Sequence, residues 1–166
     1  KIRQLVGSGN HLCELLFRQS TDEDLLMGTR TFEDKFTDMF FELAFFNNSR
    51  RGPSGQILRP DLPYVLKRRY RKFALREKEI AVDFRSCSGS HCPFKWDCSY
   101  QKGLKEARDA HIIIGNHALM FTWPKAFPRP QYVVADEAHR LENETTQSFS
   151  IEVTGELWES FCKILI

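Results

Sequence analysis

The stretch that decides the fold is "HIIIGNHALMFTWPKAFPRPQYVVADEAH", residues 111–139. Its two short apolar runs, 111–115 and 132–135, are rich in β-branched residues, the mark of strands buried on both faces. Between them "NHALMF" (116–121) has the texture of a helical turn, and "TWPKAFPRP" (122–130) is a Pro-rich loop. Two buried strands joined through a helical segment predict a small parallel α/β sheet. The second run ends in a polar tip. Asp136 and Glu137 would stand at the carboxyl end of that strand, the edge where open α/β sheets bind ligands. One carboxylate suits the magnesium of a nucleotide and the other suits an attacking water. His139, two residues on, suits sensing the phosphate state. The competing reading of the tip is an acidic helix start.

Nucleotide hydrolysis also needs a phosphate cradle, G-x-x-x-x-G-K-S/T, whose backbone N–H groups and Lys hold the phosphates. The glycine-bearing "GSGN" (7–10) lacks both the Lys and the spacing. The chain as it stands is therefore not expected to hydrolyse ATP. It opens without Met and stops abruptly, and reads as a piece of something longer.

Working back from residue 111, "YQKGLKEARDA" (100–110) predicts a helix, and so does most of the N-terminal part. Thr21 with Asp24 resembles a capping box. Phe32, Phe36, Met39, Phe40 and Leu43 fall at helical spacing and predict a core-facing stripe. "NNSRRGPSGQ" (47–56) reads as a loop, and Pro63 is placed to open the next helix. At the other end "TGELWESFCKILI" (154–166) predicts an amphipathic helix capped by Thr154. The fold expected is mainly α with a small α/β part.

In bulk the chain is ordinary: 166 residues, 42% apolar, 28% charged, net charge +2. No apolar run is long enough to span a bilayer, and the N-terminus has no secretion signal. A reducing, cytoplasmic setting is expected, in which clustered cysteines more often hold metal than form disulfides. The charge is uneven in place. Residues 14–42 hold eight acids and three bases, whereas residues 50–78 hold ten bases and two acids. Such asymmetry suggests a face for a polyanion. Within the basic block, "KRRYRKFALREK" (67–78) interleaves bases with aromatics, a pattern that suits phosphates and unpaired bases. Arg68, Arg69, Arg71 and Lys72 are the candidate phosphate contacts, and Tyr70 the candidate stacking ring. A solvated helix face with inward-packed rings is the competing reading.

Three of the five cysteines lie in "CSGSHCPFKWDC" (87–98), spaced C-x4-C-x5-C. Three thiolates leave a four-ligand site incomplete, and the fourth ligand must come from Cys13, Cys162 or a histidine such as His91. Cys162, beside Phe161 and Leu165, reads as a buried free thiol. Cys13, in the polar "GSGNHLCELL", has more the character of a ligand. Spacing alone leaves zinc and an iron–sulfur cluster both open, although zinc sites favour closer pairs. Trp96, between two of these cysteines, is expected to shield the site from solvent.

The order of one isolated cysteine, then C-x4-C-x5-C, then "IIIGNHALMF", then "VVADEAH" resembles the bacterial DinG branch of the iron–sulfur DNA helicases, related to the XPD group. The resemblance covers about residues 7–146. It implies that Cys13, Cys87, Cys92 and Cys98 ligate a [4Fe-4S] cluster in a domain inserted into the first motor domain. The gap of 74 positions between Cys13 and Cys87 suits that insertion. It implies that Asp136 and Glu137 are the magnesium-binding and water-activating carboxylates of an ATP-driven, 5′ to 3′, superfamily 2 motor. In domain terms, 1–110 would be a helical iron–sulfur cluster domain and 111–166 part of a RecA-like motor domain carrying the DEAH box.

The resemblance further implies Mg2+ and ATP as ligands of the full-length parent, with single-stranded or forked DNA as substrate. It also implies a location in the bacterial cytoplasm at the nucleoid, and the remainder of the helicase as a partner. Asn116 and His117 join the candidate DNA contacts, with a structural role as the competing reading for His117 and for His111. The chain departs from the family in lacking the phosphate loop, the later motor motifs and the second motor domain. His11 stands where a Tyr is common before the first cysteine. Incomplete sheet edges could pair with a second copy. Two other functions stay open: a zinc-stabilised nucleic-acid-binding module without redox role, and an interaction domain whose DEAH is incidental.

Overall fold

The structure is a computed structural model that describes all residues except 28–29, 52–55, 125–126, 151–154, 156–157, 159–161 and 163–166. It is mostly helical with a small two-stranded parallel sheet, and divides into two compact units, Lys1–Gly115 and Asn116–Ile166.

In the first unit, α1 (Glu14–Met27) begins directly after Cys13. Thr21 is therefore not a cap. It lies inside α1 and donates its hydroxyl to the Phe17 carbonyl at 2.8 Å, as a mid-helix Thr commonly does. The capping box belongs to the next T-x-x-D, at the start of α2 (Phe32–Arg50). Here Thr31 Oγ1 accepts from the Asp34 N–H, and Asp34 Oδ2 accepts from the Thr31 N–H at 2.7 Å.

The core-facing stripe of α2 is only partly the predicted one: Phe40 packs against the core and Phe36 against Tyr70, both half-buried. Phe32 is 81% exposed, and Met39 and Leu43 are exposed as well. The buried face is Thr37, Asp38, Phe41, Ala44, Phe45 and Asn48. Its polar members are all engaged or enclosed: Asp38 pairs with Arg30 and Arg76, and Asn48 bonds both the N–H (2.7 Å) and the carbonyl (3.1 Å) of Ile57. Held by that pair of hydrogen bonds, α2 runs on to Arg50, into the stretch predicted as loop.

Leu12, Phe17, Phe41, Ala44, Phe45, Leu62, Phe73 and Ile80 form the core. Phe41 and Phe73 stack at 5.0 Å, and Phe17 tilts against both Phe41 and Phe45. Each such ring removes a large apolar area from water and gains further from ring–ring geometry.

The basic block forms two helices, α3 (Tyr64–Arg69, with Pro63 just before it) and α4 (Arg71–Glu79), broken at Tyr70, whose backbone is extended (φ −115°, ψ 108°). The acidic and basic blocks meet. Glu33 on α2 accepts the Lys72 N–H at the start of α4 (2.9 Å), and Lys72 Nζ lies 2.6 Å from Asp34 Oδ2. Acids at a helix N-terminus complement its dipole, so α2 caps α4 from outside. Under α3, the buried Glu77 accepts from Arg59 Nε (2.8 Å) and Lys67 Nζ (3.2 Å).

The chain then returns to where α1 started. Leu12 and Ala81 form an antiparallel bridge, with Cys13 N–H donating to the Ile80 carbonyl (2.7 Å) and Val82 N–H to the His11 carbonyl (3.0 Å). The loop 83–98 leads into α5 (Ser99–Arg108), and then to strand Ile112–Ile114.

That strand, β2, pairs in parallel with β1 (Ile2–Gln4), Ile2 opposite Ile112 and Gln4 opposite Ile114. The predicted partner, 132–135, is not a strand. Tyr132 is 90% and Val134 96% exposed, and among the described residues no ladder takes up their backbone groups, which a strand requires. With β2 paired to β1, the compact first unit runs to Gly115. Ile112 and Ile114 are themselves more than half exposed, so β2 is not the doubly buried strand predicted.

The second unit holds α6 (His117–Phe121), a single 3-10 turn at Ala138–Arg140 and α7 (Leu141–Phe149), with Phe121 against Phe149. Gly155, Trp158 and Cys162 are helical. Thr154 and most of the predicted C-terminal helix lie outside the described residues. No helix among the described residues is long and apolar enough to cross a membrane.

Candidate functional site

The local fold gathers the four cysteines by two routes. The 11–13 to 80–82 bridge returns the chain to Cys13 shortly before Cys87. The buried His11 then joins Cys13's segment to α5: its Nδ1 pairs with Ser99 Oγ at 2.9 Å, and its ring lies 5.5 Å from that of Tyr100. Burial lowers the His11 pKa to about 4, partly opposed by the Val6 backbone, so the ring is neutral near pH 7. Ser99 follows Cys98, and His11 precedes Cys13 by two residues, so this one bond ties the two segments together.

Cys13 and Cys98 stand in equivalent places, each immediately before the first residue of a helix. Burial pushes the Cys13 thiol up, the N–H groups of Leu16 and Leu15 pull it down, and Cys92 and Cys87 push it up again. Burial likewise raises Cys98, the N–H groups of Gln101 and Tyr100 oppose it, and Cys13 and Cys87 add to the rise. No side-chain cap bond closes on Cys98, yet both helix starts aim partial positive charge at a sulfur. Gln101 Nε2 lies 3.6 Å from Cys87 Sγ. Tyr100 is raised by burial and then by Cys87 and Cys98. All five cysteines are free thiols, and each is half-buried.

Cys13 thus lies within electrostatic reach of Cys87, Cys92 and Cys98, and Cys98 within reach of Cys13 and Cys87. Among the described residues, no group of three or more Cys, His, Asp or Glu converges closely enough for one bare metal ion. Four sulfurs held about 2.3 Å from a single zinc stand only about 4 Å apart. A cluster with one thiolate on each of four irons spaces its ligands more widely. Cysteine sulfurs at helix starts are chemically suited to zinc or to an iron–sulfur cluster.

Trp96 does not shield the cysteines. It is 71% exposed, at the apex of a tight turn between Cys92 and Cys98, because Cys98 N–H donates back to the Phe94 carbonyl (2.9 Å). His91 is exposed.

The basic stretch divides by burial. Arg68, Arg69 and Arg71 are exposed, Arg69 with its guanidinium 5.7 Å from the Tyr70 ring centre. Lys72 is engaged by Asp34, and the half-buried Tyr70 packs against Phe36 at 5.4 Å. Arg68, Arg69 and Arg71 are thus exposed cations on α3 and α4, whereas Lys72 is drawn into an ion pair with Asp34.

In the second unit two motifs meet. His117 Nε2 donates to the Asp136 carbonyl at 2.8 Å, which fixes a proton on that nitrogen because a carbonyl can only accept. Asn116 caps α6, its side chain accepting the Leu119 N–H at 3.1 Å. Asp136 Oδ1 accepts the Glu137 N–H (2.9 Å), and His139 Nε2 lies 3.4 Å from Glu137 Oε2. Glu137 has φ 51°, a left-handed conformation that costs a non-glycine residue energy. All three side chains are exposed.

The pairing of His11 with Ser99 was missed in the sequence, where only the proximity of each to a cysteine could have signalled it.

No protein-family model matches the chain, and no solved structure matches it. Distant similarity is found to ATP-dependent helicases. The chain is 22% identical to the ATP-dependent DNA helicase YoaA of Haemophilus influenzae, over 98% of this chain and 24% of that protein. It is 32% identical to YoaA of Escherichia coli, over 39% of this chain and 11% of that one. To the ATP-dependent helicase DinG of Mycobacterium tuberculosis it is 31% identical, over 46% of this chain and 12% of that one. The chain spans at most about a quarter of the length of these curated relatives.

Proposed function

We propose that the chain is the iron–sulfur portion of a DinG-type, ATP-dependent 5′ to 3′ DNA helicase, with Cys13, Cys87, Cys92 and Cys98 holding a [4Fe-4S] cluster. The observation that carries this reading is that Cys13 and Cys98, each at a helix start, both feel Cys87, with Cys13 also feeling Cys92 and all of them free thiols. The distant similarity to YoaA and DinG helicases supports it. When bound, the cluster supplies a four-point cross-link and a redox couple. The protein's own part is structural. His11 and Ser99 hold the Cys13 and Cys98 segments in register, and α3 and α4 present Arg68, Arg69 and Arg71 to the phosphates of single-stranded or forked DNA. Such a knot forms a wedge near the point where a duplex separates.

In the full-length parent, Asp136 and Glu137 would serve Mg2+ and ATP, with His139 beside Glu137. His117 holds the backbone of Asp136. Without a phosphate loop the chain itself does not hydrolyse ATP.

The deciding test is iron, acid-labile sulfide and zinc content of the anaerobically purified chain, with its visible spectrum. Iron and sulfide of about four each per chain are expected, and both should fall sharply in Cys92→Ser. Zinc without sulfide, after a failed attempt at cluster reconstitution, would favour the zinc-stabilised module. Unchanged metal in Cys92→Ser would remove Cys92 from the ligand set.

A further inference from the structure

We infer that Trp96, with Lys95, is a platform on which an unpaired nucleobase of single-stranded DNA stacks, a contact separate from the basic surface of α3 and α4. The assignment rests on the single-strand reading above and adds to it a named base-contacting residue.

A lone exposed aliphatic residue needs no explanation. Trp96 differs in three ways. First, it is among the largest side chains and is 71% exposed, whereas Trp123 is half-buried, packs against Phe127 at 5.7 Å and donates its indole N–H to the Pro128 carbonyl at 3.2 Å. Second, its backbone is fixed. Lys95 N–H donates to the Cys92 carbonyl (3.2 Å), Asp97 N–H to Phe94 (3.1 Å) and Cys98 N–H to Phe94 (2.9 Å). The indole is therefore presented on a rigid turn, and ordering it on binding costs little.

Third, the ring carries its own cation. Lys95 Nζ lies 5.2 Å from the indole centre and is tied at 2.8 Å to the Ser90 carbonyl. The neighbouring acid, Asp97, faces Lys102 at 3.8 Å. An aromatic face beside a tethered ammonium matches a nucleotide, whose base stacks and whose phosphate pairs with the cation. The same loop repeats the pairing at its start, where Arg85 lies 5.6 Å from the centre of the half-exposed Phe84 ring.

The test compares wild type, Trp96→Ala and Trp96→Phe on two labelled strands of equal length, an oligothymidylate and its abasic counterpart, by fluorescence anisotropy. Trp96→Ala is expected to weaken oligothymidylate binding about 5- to 100-fold, the range base–aromatic stacking supplies. Its binding to the abasic strand should be unchanged, because the phosphates remain. Trp96→Phe should restore most of the loss, which a merely disrupted turn would not allow. Wild-type binding of oligothymidylate by Trp96→Ala overturns the assignment and leaves the single-strand reading standing. An equal loss on both strands also overturns it, as a structural effect. A wild-type chain that binds neither strand at low salt overturns the single-strand reading, and this assignment with it.

Discussion

Removing the hydroxyl of Ser99 should loosen the candidate cluster site without touching a cysteine. The His11 ring is 5% exposed and its Nδ1 has Ser99 Oγ at 2.9 Å. Ser99→Ala strands that nitrogen away from water, at a cost of about 1–3 kcal/mol for an unsatisfied buried group. His11→Phe keeps a ring against Tyr100 but strands the Ser99 hydroxyl, with a similar cost. Making both changes removes the pair together, and only the net worth of one hydrogen bond is lost, about 0.5–1.5 kcal/mol. The double variant should therefore be more stable than the sum of the singles by about 1.5–4.5 kcal/mol. Urea unfolding of the reduced, chelator-treated chain near neutral pH measures all four corners of the cycle. Single variants that add to within about 0.5 kcal/mol would refute the reasoning, because the two groups would then not depend on each other. A companion measurement follows iron release from the loaded protein, which should be faster in Ser99→Ala than in wild type.

Phe73→Ala, at a fully buried ring stacked on Phe41, should cost about 3–5 kcal/mol, read as a lower urea midpoint with loss of helical circular dichroism. Asp34 is held down to about 2: burial pushes it up, but Lys72 and Thr31 outweigh that. Because its folded pKa lies below the unfolded value of 3.8, its stabilisation is present above that value and is lost as pH falls through about 2. Wild type should exceed Asp34→Asn by about 1–2 kcal/mol above that window, allowing for partial screening, and converge with it below; a constant difference across the window counts against the ion pair. Glu137→Gln should leave single-strand binding by the chain unaltered, and a marked loss in anisotropy would mean that the DEAH tip is not a nucleotide site.

The sequence was a good guide to most of the helices and a poor one to strands, faces and partners. Two T-x-x-D strings lie ten residues apart, at Thr21 and Thr31, and the letters cannot say which begins a helix. Thr21 lost the role because α1 had already started at Glu14. On α2, apolar residues occur around most of the cylinder, and the buried face includes Thr37, Asp38 and Asn48. Polar residues that find partners inside erase the contrast a stripe depends on. Strand β1 reads Ile-Arg-Gln and carries no alternating pattern over three residues; its pairing with β2 is made by backbone groups that every sequence supplies. The basic block was visible, but not its partial neutralisation, since Glu33 and Asp34 meet Lys72 only through the packing of α2 on α4. The cysteine spacing was legible as letters, but that Cys13 and Cys98 each directly precede a helix emerged only from the fold.

The bridge between Leu12 and Ala81 makes residues 14–79 an excursion with a narrow neck. The chain leaves at Cys13 and re-enters at Ile80, one backbone hydrogen bond apart. Seen from the cysteines, the four helices beyond the neck act as a single cassette. Its far end can be lengthened, trimmed or exchanged, provided that the packing at the neck is kept. Surfaces on that cassette, including the exposed arginines of α3 and α4, can therefore diverge while the cysteine geometry stays where it is.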